Sequence, residues 1–182
     1  DAPRYDPLEA STFFADGSSA RPVMAGTVAR GHLNADTFLH TGKDAAGLPV
    51  AEFPFAISRA DLDRGEQRFN VYCAPCHGQT GEGNGMVVQR GYRQAQSMHL
   101  ERLRTAPVGY FYDVITNGFG VMPDYRAQIS VEDRWKIIAY VRALQLSRTA
   151  TTGDLPADVL DQLRKGATAV PAAGSNPQGS HR

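Results

Sequence analysis

Both cysteines of this 182-residue chain lie in one pentapeptide, Cys73-Ala74-Pro75-Cys76-His77. A C-x-x-C pair can serve as a redox dithiol, as half of a zinc site or as an attachment for haem. The histidine that follows separates these. Thiols at i and i+3 on a helix end can reach two vinyl groups along one porphyrin edge, and the next residue can set its imidazole beneath the iron. A structural zinc site needs four ligands, and His32, His40, His99 and His181 offer no second pair at zinc spacing. A thioredoxin-type dithiol sits in a βαβ unit, and no such pattern is present. The pentapeptide therefore predicts one covalently bound haem c, anchored by Cys73 and Cys76, with His77 as proximal iron ligand.

The second axial position has several candidates: Met24, Met86, Met98, Met122 and the free histidines. A distal ligand must come from a loop crossing the face opposite His77. Met122 lies in Gly118-Phe119-Gly120-Val121-Met122-Pro123, where glycines allow close approach to a ring and Pro123 stiffens the chain behind the ligand. Met86 is only nine residues beyond His77, too near to be carried round to the far face. Met98 and His99, adjacent in a loop, remain the alternatives to Met122. His/Met ligation raises the potential and leaves no place for a substrate, which describes an electron carrier. An iron without Met122 would be open to oxygen or peroxide, and the chain would then be a haem enzyme.

Two further clusters draw notice. Gly81-Glu82-Gly83-Asn84-Gly85 lacks nucleotide-loop spacing and reads as a flexible turn past the haem edge. Arg90, Arg93, Arg102 and Arg104 form a solvated basic group. One of these, Tyr125 or Trp135 could pair with a haem propionate.

Three helical patterns must position these residues. The first opens at Ser58, an N-cap with Asp61 and Asp63 in the opening turn, and places Leu62, Gly65 and Phe69 on one face. A second is expected from about Pro107 to Asn117-Gly118, with Tyr110, Val114 and Ile115 inward. A third follows Ser130 to about Leu146. Its apolar set, Trp135, Ile137, Ile138, Tyr140, Val141 and Leu144, wraps most of the circumference and marks a buried helix. No period-2 alternation long enough for a sheet is present.

The flanks differ. Residues 1–57 are rich in Pro and Gly yet hold Tyr5, Phe13, Phe14, Phe38, Phe53 and Phe55. A disordered tail is poor in aromatics, so this segment reads as an extended arm that packs on another surface. Residues 148–182 hold one short helix, about 156–164, and a Pro/Ala/Gly/Ser tail from Gly166 expected to be weakly ordered. The helical core between these flanks is 58–147.

Composition excludes several classes. Nineteen Lys+Arg balance nineteen Asp+Glu, which argues against a nucleic-acid binder. No run of about 18 apolar residues could span a membrane. Sixteen of the bases are Arg and three are Lys (Lys43, Lys136, Lys165), so no lysine ring steers a soluble partner.

Taken together, these residues resemble class I cytochrome c over about 58–147. The likeness rests on Gly65 and Phe69, the haem pentapeptide, the Tyr112…Ile115…Gly118…Met122-Pro123 run and Tyr140. It implies an all-α class I cytochrome c fold in which the first and last helices cross closely through Gly65, Phe69 and Tyr140. The arm carries a narrower likeness. Arg4-Tyr5-Asp6-Pro7-Leu8-Glu9, Phe13-Phe14-Ala15-Asp16-Gly17, Ala20-Arg21-Pro22 and the run 26–31 resemble the monohaem cytochrome c subunit of alternative complex III, a quinol:electron-acceptor oxidoreductase. So do the runs 85–91 and 139–146.

That resemblance implies partners: a multihaem (pentahaem) cytochrome, an iron–sulfur subunit and quinol-binding membrane subunits. Electrons would pass onward to a soluble cytochrome, a copper protein or a terminal oxidase, in a respiratory or photosynthetic chain. It also implies a periplasmic, membrane-associated location, either peripheral or lipid-anchored through a cysteine upstream of Asp1. A stand-alone cytochrome, diffusible or membrane-tethered, is the alternative.

Overall fold

The computed structural model describes residue 6 and residues 9–167. Arg4, Tyr5, Pro7 and Leu8 of the arm motif, and the tail beyond 167 with His181, lie outside the described residues. The chain divides into two compact units, Asp1–Asp36 and Thr37–Arg182.

The N-terminal unit has no helix among its described residues. A bridge between Ala10 and Ser18 closes a small loop, and Arg21, just beyond it, pairs with Asp16 at 2.8 Å and lies 3.9 Å over the Phe14 ring. Phe13, Val23, Met24 and Leu33 project into solvent.

The second unit contains helices α1 (Thr37–Thr41), α2 (Arg59–Tyr72), α3 (Ala74–His77), α4 (Met86–Gln89), α5 (Glu101–Arg104), α6 (Val108–Asn117), α7 (Val131–Thr149) and α8 (Ala157–Ala167), with one 3-10 turn at Thr152–Asp154. Among the described residues there are isolated bridges but no strand. The protein is all-α, as the periodicity predicts.

Local chemistry sets the helix ends. Ser58 Oγ accepts from the Asp61 amide, and Asp61 returns a bond to the Ser58 amide, a reciprocal cap on α2. Ser130 Oγ caps α7 through the Asp133 amide at 3.2 Å. Helix α7 runs about one turn beyond Leu146, and α8 continues past Arg164.

α2 and α7 cross at Gly65. A Cβ there would stand 2.1 Å from the Lys136 carbonyl oxygen, so only hydrogen permits the approach. Phe69 meets Tyr140 beside the crossing, ring centroids 5.4 Å apart. Arg64 forks onto Asp133 at 2.8 and 2.9 Å, and Lys136 pairs with Asp61 at 3.3 Å.

The core centres on Trp135, fully buried, with Tyr112 stacked on it at 4.6 Å. Here two expectations change. The buried face of α6 carries Val108, Phe111, Tyr112 and Ile115, while Tyr110 and Val114 are half-buried. Tyr112 turns inward to stack on Trp135, and Phe111 lies under the Arg142 guanidinium at 5.0 Å. The second change concerns the arm. The boundary expected after residue 57 falls instead after Asp36. Phe38 and Phe53 pack edge-on against Trp135 at 6.2 and 6.1 Å, and the Trp135 indole donates to the Leu39 carbonyl at 2.9 Å. Residues 37–55 are therefore part of the helical unit, because Trp135 cannot be covered by the long helices alone.

Candidate haem site

The C-terminal end of α2 leads directly into the haem pentapeptide. The Cys73 amide donates to the Phe69 carbonyl at 2.8 Å, and the Cys73 carbonyl accepts from Cys76 and His77 at 3.2 and 2.8 Å. Gly78 closes the turn onto Ala74 at 2.8 Å. Cys73 and Cys76 are thus one helical turn apart, both thiols free, with His77 at the end of the turn. Burial, aided by the Cys76 charge, pushes the Cys73 thiol up to about 12. A thiol buried in this way does not exchange protons like a redox-active one.

Burial also holds the His77 imidazole below its usual pKa, while the nearby Gln96 backbone acts in the opposite direction. The ring stays neutral, the form that binds metal. Its Nδ1 is buried without a protein partner. Among the described residues, no three His, Cys, Asp or Glu side chains converge as a metal site. His77 therefore does not share a centre with the two thiols, as zinc would demand and as haem, with thioethers at its edge and imidazole at its iron, does not.

The glycine loop is packed rather than flexible. Gly83 donates to the His77 carbonyl at 2.7 Å and Gly85 to the Cys76 carbonyl at 2.9 Å. A Cβ on Gly83 would come within 2.0 Å of the Ala95 carbonyl, and one on Gly85 within 2.3 Å of the Pro75 carbonyl. The loop folds back onto the pentapeptide and satisfies its last carbonyls.

The Gly118–Pro123 loop turns back through paired bonds of 3.0 Å between Phe119 and Met122. Gly118 takes φ +78°, where a Cβ would strike the Met122 carbonyl at 2.6 Å. Two tyrosines connect this segment to elements that flank the pentapeptide. Tyr92 O–H reaches toward the Val121 carbonyl at 3.5 Å. Tyr125 is edge-on to Tyr72 at 6.3 Å, and its hydroxyl pKa is raised by burial, then by the charges of Cys76 and Cys73.

The other sulfur and imidazole candidates are placed elsewhere. Met24 lies in the N-terminal unit and Met86 opens α4, 81% and 57% exposed. Met98 packs on Gly81, bonded through its backbone to Gly81 and Gln145. A ring nitrogen of His99 bonds the Thr80 carbonyl at 2.7 Å. Both residues lie against the loop that follows His77.

Among the propionate candidates, Trp135 is excluded, since its N–H is used inside the core. Arg104 pairs with Glu101. Arg90, Arg93 and Arg102 are exposed.

Residues 60–141 match the family model described as cytochrome c oxidase, cbb3-type, subunit III. Over these residues the chain is similar to a cytochrome c domain. Its cofactor is a covalently bound haem c with iron, and the free thiol pair and His77, whose buried Nδ1 has no protein partner, fit that group.

No curated protein matches the chain. Among solved structures, one similar chain belongs to the reducing HAO-like protein complex of Kuenenia stuttgartiensis, at 20% identity and TM-score 0.45 over 52% of this chain and 48% of that chain. The chain spans about half the length of that protein. Another is cytochrome cL of the marine methylotroph Methylophaga aminisulfidivorans, at 16% identity and TM-score 0.42 over 75% of this chain and 88% of that one.

Buried polar residues are what the sequence reasoning missed. Arg134 is 4% exposed and Gln145 is 5% exposed. Arg142 donates to the carbonyls of Leu103, Arg104 and Ala106. All three lie on α7 and donate to other segments, Arg134 to hydroxyls of α6 and Arg142 and Gln145 to carbonyls between Met98 and Ala106, so no local pattern marks them.

Proposed function

We propose that this chain relays single electrons through one haem c, held by Cys73 and Cys76 and ligated by His77 and Met122. The observation that carries this is a half-buried His77 closing the pentapeptide turn, together with a methionine loop beside which Tyr92 reaches Val121 and Tyr125 meets Tyr72. Bound haem c supplies a one-electron iron couple. The protein does the rest. The pentapeptide turn sets the height of the imidazole, and the glycine loop locks that turn. A Met122 thioether favours ferrous iron and occupies the position at which oxygen or peroxide would bind.

The arm motifs support a more particular reading: a subunit of a membrane-bound quinol-oxidising complex of the alternative complex III kind, on the periplasmic side. Its partners there would be multihaem, iron–sulfur and quinol-binding subunits, with a cytochrome, copper protein or oxidase as acceptor. Exposed Phe13, Val23, Met24 and Leu33 in the N-terminal unit are the surface that such partners would cover.

Two experiments test this. Met122→Leu should abolish the weak near-infrared methionine–iron absorption of the ferric protein and lower its potential. Retention of the band would return the assignment to Met98 or His99, and ready binding of carbon monoxide by the reduced wild type would favour an open-site enzyme. Deletion of residues 1–36 leaves the helical unit whole. If the truncated protein co-purifies undiminished with the complex, the docking role of the arm is wrong.

A further inference from the structure

Arg134 is a buried cation among the described residues whose hydrogen-bond acceptors are all neutral. Its Nε donates to the Ile129 carbonyl at 3.1 Å, one terminal nitrogen to Tyr112 Oη at 3.1 Å and Thr116 Oγ1 at 3.2 Å, and the other to the Arg126 carbonyl at 2.9 Å. The guanidinium carbon also lies 5.5 Å from the Tyr112 ring centre. Burying a charge without a counter-ion is costly unless its donors are satisfied. A leucine would fill such a place in a core at lower cost, so what the arginine does for its neighbours is the informative part.

Those neighbours fall into two groups. Tyr112 and Thr116 belong to α6, which ends just before the Met122 loop. Arg126 and Ile129 belong to the segment that leaves that loop. The same stretch has other ties to α6: the Tyr125 amide to the Ile115 carbonyl at 3.0 Å, and the Arg126 side chain to Asn117 Oδ1. Arg134, from α7, bridges both ends of the loop at once.

We infer that Arg134 is a positioning residue for the Met122 thioether: its planar fork fixes both ends of the 118–130 loop and so keeps the sulfur from swinging away. This rests on the reading of Met122 as axial ligand. A lysine, with one rotatable point charge, cannot hold all four acceptors in that geometry.

The test is imidazole titration of the full-chain ferric holoprotein, because imidazole reaches the iron only when the methionine has left. Arg134→Lys should tighten apparent imidazole binding about tenfold, the worth of roughly one charge-assisted hydrogen bond. It should also bleach the near-infrared band at a temperature below global unfolding. Thr116→Val, which removes one acceptor and disturbs folding least, should tighten imidazole binding by a smaller factor, about threefold. If both variants unfold at lower temperature but bind imidazole as the wild type does, Arg134 is a core residue only and the inference fails. Met122→Leu separates the two readings. If that variant keeps the band, the ligand assignment falls and this inference with it. If it loses the band while Arg134→Lys changes nothing, this inference alone falls.

Discussion

Gly65→Ala sets two physical effects against each other with opposite signs. In an isolated helix the change should stabilise by about 1 kcal/mol, because alanine loses less backbone freedom on folding. At this position the new Cβ would lie 2.1 Å from the Lys136 carbonyl oxygen, 2.7 Å from its carbon and 3.2 Å from Tyr140 Cβ. Carbon–oxygen contacts close comfortably at about 3.3 Å. The helices must therefore separate by about 1 Å along that line, and the obstacle is backbone that cannot swing aside. Separation strains the Arg64–Asp133 and Asp61–Lys136 pairs flanking the crossing and loosens Phe69 against Tyr140. Overpacking of this kind costs about 3 kcal/mol, leaving a net loss of about 2 kcal/mol. For a chain of this size that lowers the midpoint by about 4–8 °C. Thermal unfolding of the holoprotein, followed by far-ultraviolet circular dichroism, measures it. A midpoint unchanged or raised by a few degrees would show that helix propensity wins and that the crossing is not as close as described.

Three other outcomes are expected. Gly85→Ala drives a Cβ into the Pro75 and Ala74 carbonyls at 2.3 and 2.6 Å, so the yield of covalently haem-loaded protein, read from the haem stain of a denaturing gel, should fall well below wild type. Trp135→Phe leaves the Leu39 carbonyl without its 2.9 Å donor and should cost about 1–3 kcal/mol of stability, with the visible haem spectrum unchanged; a large spectral shift would reinstate Trp135 at the haem. Asp133 is held below the usual aspartate pKa of 3.8, first by its hydrogen bond from Arg64. A depressed folded-state pKa contributes stability that is complete above 3.8 and disappears as pH falls through the lower folded value. Arg64→Met should therefore unfold at a lower temperature than wild type at neutral pH, and the gap should close in strong acid; a gap that persists there would show that packing rather than charge links the pair.

Much of this molecule was legible along the chain because its signals are local. A helix cap needs only residues three apart, which is why Ser58 with Asp61 and Ser130 with Asp133 mark the starts of α2 and α7. The pentapeptide is equally local: thiols one turn apart and a following imidazole define haem attachment before any tertiary contact forms. The crossing at Gly65 and Phe69 could be read through resemblance.

Tertiary structure decided what depends on residues far apart in sequence. It drew residues 37–55 into the helical unit, because Trp135 has faces that α2, α6 and α7 leave open. It turned the glycine loop from a flexible tether into a clamp, because the carbonyls of Cys76 and His77 require donors. It set Met98 and His99 against Gly81 and Thr80. And it buried Arg134, whose four acceptors come from α6 and from the loop beyond Met122. The sequence by itself determined the cofactor chemistry, since that chemistry is written in adjacent residues; how the Met122 loop is held only the fold could decide, since its restraints are hydrogen bonds between segments that meet only once the chain is folded.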